Sequence, residues 1–66
     1  MPKATDKQIK FILDLADRKG LNTTWMNASW KKVGVPMSAR KGRVDAFLTN
    51  LTVRDASNLI DRLQAL

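Results

Sequence analysis

The 66-residue chain has no cysteine, histidine, glutamate or tyrosine. Those absences exclude disulfides, thiolate nucleophiles, zinc-finger ligands, imidazole acid–base work and haem ligation. Six aspartates are the only carboxylates, and no two of them have a reason to form an acid–base dyad. The expectation is therefore no enzyme, with no catalytic residue, cofactor or metal site. No apolar run approaches the roughly 20 residues of a membrane span. The opening Met1-Pro2-Lys3-Ala4-Thr5-Asp6 lacks a signal-peptide core. A cytoplasmic, soluble protein without membrane association is expected, as one domain over residues 1–66. A chain this short buries only about 60% of the surface it exposes when unfolded, so its core must be small.

Charge is the most informative quantity that is present. The net charge is +6, from twelve Lys/Arg against six Asp. The stretch from Arg18 to Arg43 holds Arg18, Lys19, Lys31, Lys32, Arg40, Lys41 and Arg43 and no acid. All six Asp lie outside it, beside Lys3, Lys7, Lys10, Arg54 and Arg62, so the flanks are close to neutral. A basic middle between near-neutral flanks is the footprint of a polyanion binder.

Hydrophobic spacing is helical throughout, and no period-two alternation is sustained. Thr5-Asp6-Lys7-Gln8 reads as a capping box that opens a first helix. Residues 1–4 before it read as a flexible N-terminus. Ile9, Ile12, Leu13 and Ala16 form its apolar face, widened by Phe11 and Leu15. Asp14 and Arg18 are an i, i+4 pair, and Gly20 is the stop. Asn22, Thr23 or Thr24 is expected to cap a second helix carrying Trp25, Met26, Trp30 and Val33, ended by Gly34 and Pro36. Val35-Pro36-Met37 should be extended. Ser38 is the expected cap of a third helix with Val44, Phe47, Leu48 and Leu51. Gly42 inside it implies either a later start or a close approach to the backbone. Asn50 reads as a left-handed exit, and Thr52-Val53-Arg54-Asp55 as a second capping box for a last helix through Ala56, Leu59, Ile60 and Leu63. Aligning Thr5 on Thr52 pairs Ile12 with Leu59 and Leu13 with Ile60, two helices solving one capping and packing problem. The expected fold is all-α, a small bundle of about four short helices. Leu59, Leu63 and Leu66 fit a homodimer seam and a monomer core equally well.

Within the middle segment, Lys31, Lys32, Arg40, Lys41 and Arg43 are the candidate anion contacts. Ser38 joins them through the free amides expected at a helix start near Ser38 and Ala39. Trp25 and Trp30 lie five residues apart, roughly 140° around a helix. Both are chiefly candidates for the core, with Trp25 the one placed to meet a partner. Met26 and Met37 read as core filling. Neither Gln nor Asn stands among the cations from Lys31 to Arg43, so backbone or shape recognition is expected rather than base readout.

Residues 25–51 resemble the SAP-type helix–extended loop–helix motif. The matching positions are Met26, Trp30, Val33, Gly34, Val35, Pro36, Ser38, Lys41, Val44 and Leu48. The resemblance implies double-stranded DNA bound through the loop and the start of the following helix, with Ser38, Arg40, Lys41 and Arg43 at phosphates. The chain departs from that pattern at Ala39 (a loop Gly is usual), Ser29 (an apolar residue), Arg43 (an acid) and Phe47 (an Arg). The two ends, Thr5 to Leu15 and Leu51 to Leu63, resemble small uncharacterised helical modules of actinobacteria and their phages, which suggests a phage or bacterial origin and no particular activity.

These readings lead to one expectation: a small basic protein contacting double-stranded DNA phosphates with low sequence selectivity. The alternative is a phage-type protein-binding module that docks on an acidic surface of a host protein, with Trp25 in the contact.

Overall fold

The structure, a computed structural model, describes residues 2–66, with Ala39 described by its backbone alone. It is all-α in character. Helix α1 spans Asp6–Arg18, α2 Val44–Thr49 and α3 Val53–Gln64. Two 3₁₀ segments, Ala28–Val33 and Met37–Ala39, lie between α1 and α2.

The two long helices start as their sequences predict. Thr5 Oγ1 accepts from the Gln8 amide at 3.1 Å, and Gln8 Oε1 accepts from the Thr5 amide at 3.0 Å. Thr52 Oγ1 accepts from the Asp55 amide at 3.1 Å. The reciprocal half of that second box is absent among the described hydrogen bonds, because Asp55 is one methylene shorter than the Glu or Gln that reaches back. Gly20, at φ 81°, lets the Leu21 amide return to the Ala16 carbonyl at 2.8 Å and closes α1.

Helices α1 and α3 form the main packed pair. Gln8 Nε2 donates to the Val53 carbonyl at 3.2 Å, beside both helix starts. Lys19 Nζ donates to the Leu66 carbonyl at 3.0 Å, just past both helix ends. The two helices therefore run side by side in the same direction. Of the segment 1–4 read as flexible, Met1 lies outside the described residues. Pro2 to Ala4 pair with the start of α3: the Ala4 amide donates to the Leu51 carbonyl (2.9 Å) and the Val53 amide to the Pro2 carbonyl (3.0 Å).

A parallel pair obliges the connection, residues 19–52, to travel back by about one helix length, roughly 18–20 Å at 1.5 Å per residue. That connection departs most from expectation. No helix starts at Asn22. Asn22 Oδ1 instead accepts from the amides of Thr24 and Trp25 at 2.8 and 2.7 Å, an Asx-type turn that competes with helix. The helical turn begins at Ala28, capped by Asn27, whose Oδ1 accepts from the Ser29 amide at 2.9 Å. Gly34 ends it in a left-handed conformation, and Pro36 is extended. Met37 joins a 3₁₀ turn rather than the extended run, and Ser38 caps nothing. The next helix starts only at Val44, with Gly42 outside it at φ 76°. Asn50 is right-handed, not left-handed.

The core comprises Ile12, Leu15, Ala16, Leu21, Met26, Trp30, Val33, Val35, Val44, Leu48, Ala56, Leu59 and Leu63. Leu59 and Leu63 thus belong to the monomer core. Trp30 is fully buried, and its indole N–H donates to the Asn22 carbonyl at 2.8 Å. Replacing a buried Trp by Ala costs about 3–5 kcal/mol, comparable with the whole stability of a small domain. Phe47 is only partly buried, Phe11 is exposed, and Met37 is 76% exposed, so neither Phe11 nor Met37 fills the core.

Candidate nucleic-acid interface

The best-defined feature of the basic segment is a short antiparallel pairing across it. The Met26 amide donates to the Gly42 carbonyl and the Val44 amide to the Thr24 carbonyl, both at 2.9 Å. Between these bonds Trp25 and Arg43 stand opposite one another as a bridge. The guanidinium carbon of Arg43 lies 5.8 Å from the Trp25 ring centroid, within cation–π range. Gly42 makes the turn into this pairing possible, because φ 76° is a region that side chains with a Cβ rarely adopt. Trp25 is 54% exposed, so of the two tryptophans expected chiefly in the core only Trp30 is core, and Trp25 is the one left at the surface.

Arg43 has a second partner. Its Nε donates to Asp45 Oδ1 at 3.2 Å, and the Ala46 amide donates to the same oxygen at 2.8 Å. The Arg43 hydrogen bond, then the Ala46 amide, hold the Asp45 carboxyl below its ordinary range. Asp45 also supplies the acid in the first turn of α2, which has no side-chain cap at Arg43.

The remaining candidates divide between two places. Lys41 is exposed beside Gly42, and Arg40 is half-buried with its Nε enclosed and without a hydrogen-bond partner among the described residues. These two share the loop that carries Arg43. Lys31 and Lys32 are exposed on the first 3₁₀ segment. Lys32 lines a shallow depression with Gly34, Arg62, Ala65 and Leu66, whereas Arg43 lines another with Asp45, Ala46, Thr49 and Asn50. Ser38 is exposed, but the helix begins six residues later, so the expected cradle of helix-start amides at Ser38 and Ala39 is not formed.

Two contributors escaped the sequence reading. Arg62 Nη1 donates to the Val33 carbonyl at 3.1 Å, which adds a cation beside Lys32. Its only sequence signal is a base in the last turn of α3. Asn22 fixes the Trp25 backbone, and Ser29 accepts from the Asn22 amide at 3.0 Å, which accounts for a polar residue where an apolar one was expected. Among the described residues no group of three or more acidic, His or Cys side chains is placed to hold a metal ion. No helix among the described residues is long and apolar enough to cross a membrane.

No known family model matches this chain, and no curated protein or solved structure matches it either.

Proposed function

We propose that this is a small nucleic-acid-binding protein whose partner is double-stranded DNA, contacted through its phosphates with low sequence selectivity. One observation carries the reading: the entire positive excess sits on the acid-free stretch from Arg18 to Arg43, most of it in the return connection, where Lys31, Lys32, Lys41 and Arg43 are exposed. Neutralising backbone charge and releasing counterions is the general source of such affinity. Burial of Met26, Trp30, Val33, Val35, Val44 and Leu48 suits a SAP-like segment, although Ser38 contributes no helix-start amide. A phage or bacterial origin and a cytoplasmic location near the nucleoid go with this reading.

The test is duplex binding over a salt series. With four to five phosphates neutralised, log K should fall against log salt with a slope of roughly −4. Replacing Arg40, Lys41 and Arg43 together by Ala should flatten that slope by two to three units. A slope near zero would remove the proposal.

The exposure of Met37 and Trp25 within the same basic segment favours a second reading, docking on an acidic protein surface. It requires little duplex shift at about 0.15 M salt and recovery of one acidic partner in a pull-down that Trp25→Ala abolishes.

A further inference from the structure

We propose that Trp25 is a stacking platform for an unpaired nucleobase, with Arg43 and Lys41 holding the adjoining phosphates. This rests on the nucleic-acid reading above and narrows the preferred ligand to duplexes that carry at least one unpaired base, such as an overhang or a bulge.

The contrast between the two tryptophans is the starting point. Trp30 is fully buried and hydrogen bonded, whereas Trp25 is 54% exposed. In a chain with few large apolar groups, leaving an indole in water forgoes one of the largest burial contributions available.

The footing of Trp25 is the second observation. Its own amide donates to Asn22 Oδ1 at 2.7 Å. The amide of Met26 and the carbonyl of Thr24, on either side of it, are both bonded to the 42–44 segment at 2.9 Å. Three hydrogen bonds thus hold an exposed aromatic ring on a fixed backbone. A ring presented this way loses little conformational freedom when it binds.

Its company decides the class of ligand. Arg43 is 5.8 Å from the ring centroid, Lys41 is two residues from Arg43, and no acid lies between Arg18 and Arg43. A nucleobase offers a π-face whatever its identity, and its flanking phosphates meet the cations. A blunt duplex hides its π-faces inside the stack, except at its ends. A neutral apolar partner would leave Lys41 without a counter-charge and Arg43 with only the exposed carboxylate of Asp45.

The experiment is a fluorescence titration at about 0.05 M salt, where phosphate contacts are strong. The probes are a blunt duplex, the same duplex with a short overhang, and the corresponding single strand. Because Trp30 is buried, quenching reports on Trp25. The overhang should bind about tenfold tighter than the blunt duplex and quench the emission, and the single strand, which lacks the duplex, should bind no tighter than the overhang. Trp25→Leu, which keeps apolar bulk but has no aromatic face, should bring the overhang down to the blunt duplex. Trp25→Phe should retain most of the advantage while losing the quench. Equal affinity for all three probes, or an overhang advantage that survives in Trp25→Leu, overturns the stacking proposal while leaving the phosphate reading intact. Failure of every probe to bind overturns both.

Discussion

On the proposed nucleic-acid reading, Asp45 and a bound strand would compete for one guanidinium. Arg43 Nε already donates to Asp45 Oδ1, so a phosphate must share or displace that carboxylate. Asp45→Asn keeps an oxygen acceptor for the Ala46 amide but removes the charge. Oligonucleotide affinity should therefore rise by about two- to fivefold, the range of an exposed ion pair, as read by the same titration. The pair also predicts a pH dependence. The folded-state pKa of Asp45 is lowered from 3.8, first by Arg43 and then by the Ala46 amide. A depressed pKa contributes stability that is complete above the ordinary value and is lost as pH falls through the lowered one. Urea unfolding at pH 7 and pH 3 should thus show a smaller acid loss in Asp45→Asn than in the wild type. The carboxylate is exposed, so the difference is small.

Short elements in this chain depend on glycine geometry in two different ways. Gly20 and Gly34 both adopt positive φ, at 81° and 79°, where a residue with a Cβ costs about 1–2 kcal/mol. At Gly20 an added Cβ meets nothing within 4 Å, but at Gly34 it would sit 2.9 Å from Arg62 Nη1. Arg62 would then give up the Val33 carbonyl, a further loss of about 1 kcal/mol. Gly34→Ala should lower the melting temperature by more than Gly20→Ala, by roughly 4–8 °C for that extra kcal/mol in a domain of this size. In an Arg62→Ala background the two substitutions should become equal, a double-mutant cycle followed by thermal melts. The same local-versus-distant distinction governs how much could be read from the residues alone. The caps at Thr5 and Thr52, the Asp14–Arg18 pair at 3.1 Å and the stops at Gly20 and Gly34 are settled by neighbours a few positions away, and all were legible. The 22–27 region was not, because Asn22 draws the Thr24 and Trp25 amides into a turn and a segment sixteen to twenty positions on supplies the pairing. Periodicity at Met26, Trp30 and Val33 reports burial faithfully there while naming the wrong element. Ser38 is a plausible cap by residue type, but Gly42 delays the helix to Val44. For the site, exposure of most of the cations was legible, whereas the sequence makes Trp25 chiefly a core candidate and only the better placed of the two tryptophans to meet a partner; the Trp25–Arg43 contact and the separate depression around Lys32 and Arg62 depend on the return path of the connection.

Taken as a whole, the molecule relies on the α1–α3 seam. An isolated helix of α1's length is marginal in water even with a good cap. A peptide of residues 1–20 should therefore show little helix by circular dichroism, whereas the 66-residue chain should melt cooperatively. The parallel course of the two helices also sets how the chain finds its structure. The bonds that fasten the seam join residues 45 and 47 positions apart, so the central contact cannot form as a hairpin between neighbours. A large loop must close before the seam stabilises anything, and its entropy falls in the folding barrier. By topology this chain has a high contact order for an all-helical protein, and stopped-flow refolding should be slower than for an up-and-down bundle of equal length and stability.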